Sequence, residues 1–379
     1  MQNVGQAWLV LDLTGSAAKL SVVSAIQFLP MMFLSLFAGP FVDRFPKRRT
    51  IIITQSALAF LALALAVITA THIVRYWMVL VLAFLLGMVT LVDNPTRQAY
   101  VMELSGRDAL MNAVSLNSAA FNTARILGPG IAGLLIEVIG IAQCFFLNAL
   151  SFLAVIGALL FIDAPSLAST RPMMNIRDVF SSAREGLSYI RKKSEIALPL
   201  ILMAAISTVV INYNVFVPTF AKISLGQSAS GYGFLMTSMG IGSLIAALAL
   251  ALGSRSGPRP YRLFGGALGM CAAILACGLQ RNYALSCVLL GLTGFATISF
   301  STSTNATIQL ASDDEHRGRV MSIYSLVFGG VTPIGALYAG AVSEIAGPAF
   351  CMTLSGAIGL GASALLLLGR RRRRRVMRA

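Results

Sequence analysis

Gly39-Pro40-Phe41-Val42-Asp43-Arg44-Phe45-Pro46-Lys47-Arg48-Arg49 stands between two long apolar runs, and its reading decides the fold. An apolar helix ends here in a small residue, an acid and a burst of positive charge, after which the chain turns and becomes apolar again. The runs on either side are close to the roughly 20 residues that a helix needs to cross a bilayer. The stretch therefore reads as the reversal between two membrane-spanning helices.

Composition leads to the same place independently. Hydrophobic residues make up 57% of 379 and charged residues 11%, with a mean hydropathy of +0.80. A soluble domain carries roughly 25% charged residues, so this chain cannot cover a water-facing surface. Eleven apolar stretches are long enough to span: 20–42, 50–71, 76–101, 110–138, 141–162, 196–221, 231–253, 262–279, 283–310, 320–343 and 347–368. These predict an all-α polytopic membrane protein.

Basic residues near span ends are concentrated on the cytoplasmic side. With the Asp43–Arg49 turn assigned to the cytoplasm and the sides alternating, only Lys19, Arg75, Lys222 and Arg281 of the 29 basic residues fall outside, and Arg125 falls within a span. That asymmetry places the C-terminus in the cytoplasm and accounts for the net charge of +15 without nucleic acid. The run Arg370–Arg375 follows directly on Leu365–Leu368 and reads as an anchor on anionic lipid.

Met1–Leu13 is apolar but would reach only about 20 Å as a helix, against a hydrocarbon core of about 30 Å. It has no basic leader or small-residue cleavage site. It reads as the second half of a first span, with the expectation that in-frame apolar codons precede it.

Two halves are visible in the sequence. Asn94-x-Thr96-x-Gln98 recurs as Asn305-x-Thr307-x-Gln309, and Gly133-x-x-x-Glu137-x-x-Gly140 as Gly340-x-x-x-Glu344-x-x-Gly347. Internal repeats of this kind build transporters. The expected units are an N-terminal bundle over 1–163 with its first span incomplete, a linker over 164–195, a C-terminal bundle over 196–369 and a polybasic tail over 370–379. In the linker Ile176, Val179, Phe180, Ala183, Leu187 and Ile190 recur at helical spacing opposite Arg177, Arg184 and Arg191, predicting a basic amphipathic helix at the membrane surface.

Enzyme chemistry finds no foothold. There is no Gly-rich phosphate loop with its Lys, so ATP does not drive the chain directly. His72 and His316 lack metal-ligand spacing, and Cys144, Cys271, Cys277, Cys287 and Cys351 lie in apolar spans as small hydrophobes. No metal or cofactor is expected.

The polar groups that a membrane penalises remain. Arg125 lies near the midpoint of its span, where a charge costs about 2.5–3.5 kcal/mol on insertion scales. It must face the interior, a partner or water, and carries either function or structure. Gly128, Pro129 and Gly133 follow it, either as simple packing or as a motif. Asp93 and Arg97 stand at the spacing of a helical ion pair near the cytoplasmic edge, with Pro95 between them. Gln2, Asn3, Gln6, Trp8, Asn212, Tyr213 and the run Ser299–Asn305, with Thr302 and Asn305 foremost, are candidates for a cavity. Asp12, Glu137 and Glu344 lie near outer span ends, Asp12 either as a proton carrier or as an interfacial carboxylate.

The Gly39, Asp43, Arg44, Lys47, Arg48 pattern resembles the signature loop of the major facilitator superfamily of secondary transporters, with Pro46 where a second glycine is usual. Gln6-Ala7-Trp8, DNPTRQAYVMEL from Asp93 and LNSAAFNTARILGPGIAGLL from Leu116 resemble the enterobactin-exporter-like branch, the transmembrane secretion effectors. The resemblance implies two pseudo-symmetric six-helix bundles and a monomeric, proton-coupled exporter of a siderophore or drug-like molecule in the plasma membrane. It also implies a cytoplasmic gate of Asp43, Arg44, Asp93 and Arg97, an antiporter-like motif at Gly128-Pro129, and a cavity lined by the first, fourth, seventh and tenth spans. A nutrient importer and a non-transporting sensor or scaffold are the alternatives.

Overall fold

The computed structural model describes residues 1–162, 176–252 and 260–376, excepting the side chains of 36–41, 43, 106–108, 176–180, 260 and 370–376. Five helices make the first half: α1 (Gln2–Thr14), α2 (Ala17–Arg44), α3 (Lys47–Ala70), α4 (Tyr76–Ile139) and α5 (Ile141–Phe161). The linker helix α6 (Ile176–Lys192) precedes α7 (Ser194–Val209), α8 (Tyr213–Thr219), α9 (Ala229–Leu252), α10 (Pro260–Leu279), α11 (Tyr283–Ala311), α12 (Asp314–Ser325), α13 (Thr332–Ala346) and α14 (Pro348–Val376). Short π-helical turns at Phe220–Ser224 and Leu326–Gly330 continue α8 and join α12 to α13. Among the described residues eleven helices are long and apolar enough to span a membrane, as the sequence predicts.

Local chemistry sets the boundaries. Gly15, in the left-handed region at φ 61°, ends α1, and the Ser16 hydroxyl caps α2 by accepting from the Lys19 N–H at 3.1 Å. Gly140 and Gly347, at φ 96° and 88°, make matching breaks before α5 and α14, as the repeated Gly-x-x-x-Glu-x-x-Gly predicts. α4 is one run of 64 helical residues that carries two spans, Tyr76–Ser105 and Ala109–Ile139. Val79 and Ala83 share a core with Phe145, while the Cys144 thiol approaches the Ala132 carbonyl at 4.0 Å. A straight helix would separate Ala83 from Ala132 by about 73 Å at about 1.5 Å per residue, so α4 doubles back on itself.

Large apolar side chains cover the outside: Phe60 is 69% exposed, Leu252 87% and Phe161 91%. Such a surface belongs in lipid. Two large contacts join the halves, the second leg of α4 against α9 and α13 against α2. Each element here meets the counterpart of the other's partner, so the contact is made twice across the pseudo-symmetry.

Part of the apolar face of the linker helix finds protein. α6 packs on α12 and α7, with Ile190 buried and Gly186 against Ile323 and Arg319. The Tyr189 ring stacks on His316 with centroids 4.3 Å apart, and Glu185 receives Arg319 at 2.7 Å. Leu187, on the same apolar face, remains exposed. Arg177 and the side chains of Arg370–Arg375 lie outside the description, while the helical backbone of α14 continues through that basic run to Val376.

Lys193 donates to the Tyr189 hydroxyl at 2.7 Å and to both Asp313 oxygens at 2.9 Å. Hydrogen bonds from Lys193 and then Tyr189 hold the Asp313 carboxyl below its ordinary 3.8, and those with Tyr189 and Asp313 hold the Lys193 ammonium above its ordinary 10.5. A depressed carboxyl stabilises the contact above its ordinary value and loses that as pH falls; a raised ammonium stabilises it below its ordinary value and loses that as pH rises. Protection of the α6 amides, relative to their intrinsic exchange rate, is therefore expected to be greatest between these limits. That protection should fall on acidification through the carboxylate range, and Asp313→Asn should reduce its acid dependence, with Glu185 supplying the remainder.

A candidate translocation pathway between the halves

At the linker end, Lys47 opens α3 and its ammonium pairs with Glu103 of α4, both side chains being largely buried. Arg48 donates to the Leu159 and Leu160 carbonyls at 3.0 and 3.1 Å, satisfying the last turn of α5. Asp93 is 3% exposed and accepts from Thr54 at 2.6 Å and Gln55 at 2.9 Å, both from α3. Its second oxygen lies 3.9 Å from Arg97, the intrahelical pair that the spacing predicts. Arg44 is exposed, and the surroundings of Gly39 and the Asp43 side chain lie outside the description.

Of the expected four-residue gate, the described side chains show the Asp93–Arg97 pair, while the Asp43 part lies outside the description. Uncharged donors hold Asp93, and the buried ion pair is Lys47–Glu103. Glu103 stands in the quoted DNPTRQAYVMEL stretch, but nothing in its spacing marks it as the partner of a residue in the preceding turn.

At mid-depth, Arg125 reaches from the first half into the second. Its Nη2 donates to Ser243 Oγ at 3.2 Å, and that hydroxyl donates to the Met239 carbonyl at 2.9 Å. The guanidinium also lies close enough to Tyr213 to interact electrostatically. The Tyr213 hydroxyl is 2.8 Å from Thr297 Oγ1, just beyond the break at Val210–Asn212 that separates α7 from α8. Asn212 is buried and donates to the Thr208 carbonyl at 2.8 Å, leaving its Oδ1 without a partner. One residue along from Arg125, the Ile126 carbonyl accepts from Thr237 at 3.0 Å.

Ser243, Thr237 and Thr297 escape a sequence reading because a hydroxyl in an apolar helix ordinarily bonds its own backbone. The Ser299–Asn305 run does that in part: Ser299 and Ser301 return to Phe295 and Ile298, while Thr302 is exposed, the buried Thr304 hydroxyl has no described partner, and Asn305 accepts from Gln309 at 2.7 Å. Gln6 is buried and donates to Gln27 at 3.3 Å, and Gln27 donates to Asn3 at 3.2 Å. Gln2 accepts from Asn148 at 2.8 Å.

The motif glycines divide. An added Cβ on Gly133 would stand 2.5 Å from the Ala229 carbonyl and 3.1 Å from the Gly233 Cα, and one on Gly130 would meet Thr237 Oγ1 at 2.7 Å, whereas Gly128 faces open space. The absent side chains at Gly130 and Gly133 are what let α4 lie against α9.

The end away from the linker is held by three ties between the halves. Asp12 pairs with Lys222 at 2.9 Å, and that ammonium sits 4.8 Å above the Trp8 ring, which stacks on Tyr232. Trp8, expected in the cavity wall, is part of this seal. Glu137 accepts from the Ser228 hydroxyl at 2.8 Å and the Ser230 N–H at 3.2 Å, at the start of α9. Glu344 accepts from the Ser16 hydroxyl at 3.0 Å and the Ala18 N–H at 3.1 Å, at the start of α2. Each carboxylate caps a helix of the opposite half.

Every described hydrogen bond or ion pair between the halves lies from Arg125 toward this end. Toward the linker, each residue of α4 from Ala109 to Ala124 is exposed or half-exposed. The halves meet at one end and part at the other.

Two bundles related by a repeat, meeting around charged and polar groups at mid-depth, define a major facilitator transporter. Residues 1–376 match the profile of the transmembrane secretion effectors, and the chain belongs to that family. It is 26% identical over 358 residues to the staphyloferrin A transporter of Staphylococcus aureus, covering 91% of this chain and 86% of that protein. It is also 26% identical to the multidrug efflux pump Tap of Mycolicibacterium fortuitum, covering 90% and 84%. In fold it resembles the nucleoside transporter NupG, with a TM-score of 0.77 at 11% identity over 97% of this chain and 93% of that one. A bacterial homologue of the lysosomal transporter Spinster, in an inward-facing and unoccupied conformation, gives 0.69 at 13% identity over 97% and 94%.

Gly133→Ala should lower stability by about 1–3 kcal/mol, because the opposing atoms are backbone and cannot swing aside. Gly128→Ala should be neutral or stabilise by up to about 1 kcal/mol through helix propensity. Thermal unfolding of the two variants in detergent distinguishes these outcomes.

Proposed function

We propose that the protein is an exporter of small organic molecules that works by alternating access in the plasma membrane, with the linker and C-terminus in the cytoplasm, the proton gradient as its energy source and no cofactor. The arrangement that carries this reading is the pathway parted at the linker end and tied shut at the other. The excess of basic residues at the linker end supports its cytoplasmic assignment, and on that assignment the structure is inward-facing, ready to take substrate from the cytoplasm. The efflux and siderophore-transporter relatives support export of siderophore or drug-like molecules.

Closing the cytoplasmic side falls to the charged cluster at the ends of α2, α3 and α4, in which Lys47–Glu103 and Asp93 with Arg97 are preorganised. Asp12, released from Lys222, and Arg125 are the charged groups best placed to couple movement to protons. Gln6, Asn212, Tyr213 and Asn305 supply hydrogen-bonding groups along the path, and the monomer suffices because both halves come from one chain.

In cells with their main exporters deleted, expression should lower the accumulation of exported compounds, and a protonophore should restore it. A rise in accumulation on expression would identify an importer instead. Glu137→Gln with Glu344→Gln weakens both outer caps, since a neutral amide accepts more weakly than a carboxylate. Spin labels attached at Thr71 and Arg281 should then report a larger separation than in the parent chain.

A further inference from the structure

Arg125 is an intramembrane cation without an intramembrane anion. It is half-exposed, and its one described hydrogen-bond acceptor is the uncharged Ser243 hydroxyl. The described carboxylates lie elsewhere. Asp12, Glu137 and Glu344 hold the outer end, Asp93 and Glu103 the cytoplasmic end, Glu185, Asp313 and Asp314 are engaged around the linker helix or at the start of α12, and Glu195 and Glu315 stand in the first turns of α7 and α12. Among the described residues the mid-depth pathway therefore carries a positive charge and no negative one.

Water can solvate Arg125 while the cytoplasmic side is parted. When that side closes, water leaves and the bare charge becomes costly. A cation arriving as substrate would worsen this cost, whereas an anion removes it.

The surroundings fit an oxyanion. A guanidinium presents a planar fork of donors that matches a carboxylate or another planar oxyanion and can bind it through two parallel hydrogen bonds. The Ser243 hydroxyl lies beside it, and Tyr213, which follows the break between α7 and α8, stands within its electrostatic reach, a placement that discontinuous helices have at transporter binding sites.

Resting on the exporter reading above, we propose that Arg125 anchors an anionic group of the substrate, so that the molecules exported are organic anions, carboxylates foremost. The bound anion acts as the counter-ion that lets the pathway close around Arg125.

The test uses the full chain in a bacterial host lacking its main exporters, loaded with carboxyfluorescein, an anionic dye, or with ethidium, a cationic one. Variants are compared at equal abundance in the membrane. The wild type is expected to export carboxyfluorescein and retain ethidium. Arg125→Gln should lose about tenfold or more of the carboxyfluorescein rate, the scale set by a charged hydrogen bond, and Arg125→Lys, which keeps the charge, should retain more of it. Export of ethidium with retention of carboxyfluorescein overturns this inference and leaves the exporter reading standing. So does carboxyfluorescein export by Arg125→Gln at the wild-type rate. Retention of both dyes by the wild type counts against the exporter reading and takes this inference with it.

Discussion

Glu137 and Glu344 each cap a helix that begins in the opposite half, and the meeting of the two bundles is organised around that exchange. The first turn of a helix leaves N–H groups without partners and carries a partial positive charge. A carboxylate answers both needs, and here it comes from across the interface. Four residues before each carboxylate stands a glycine, Gly133 or Gly340, at which a side chain would collide with the capped helix. Close approach and capping therefore depend on each other, because the carboxylate reaches its target only if the backbones can come together. Lipid offers no hydrophobic drive for such association, so packing and hydrogen bonds must supply it.

The opposite end follows a different logic. Its described charges pair within a half: Lys47 with Glu103, Asp93 with α3 hydroxyl and amide donors, and Arg48 with the last carbonyls of α5. These contacts fix α3, α4 and α5 to one another without touching the second half. A bundle held rigid in this way can move as a body, while the caps at the far end are made and broken between bodies. The asymmetry is already visible in the repeat, where Ser254 stands opposite Asp43 and Thr304 opposite Asp93.

Much of the fold was legible because lipid imposes length and polarity. Span count follows from apolar runs, and the matching helix breaks at Gly140 and Gly347 follow from the recurrence of Gly-x-x-x-Glu-x-x-Gly. What stayed hidden was partnership. Lys47 and Glu103 are far apart in sequence, and which carboxylate meets which lysine depends on the register of α3 against α4. Trp8 carries the features of a cavity residue, and only the position of Lys222 and Tyr232 turns it into part of a seal. The linker helix shows the same limit, since an amphipathic pattern states that one face is apolar without saying whether lipid or α12 covers it.

Asp93 and Arg125 make the contrast that separates structure from function in this chain. Both are charges that the membrane penalises, and both stand out in the sequence for that reason. Asp93 is buried among Thr54, Gln55 and Arg97, so its cost is met locally and its removal would leave those donors unsatisfied. Arg125 has a single described hydrogen bond, to an uncharged hydroxyl, and keeps part of its surface open to the pathway. A charge that the fold has already compensated belongs to the architecture. One left incompletely compensated beside a parted pathway has its remaining donors directed at whatever enters, and the chemistry of that visitor is constrained by the sign of the charge.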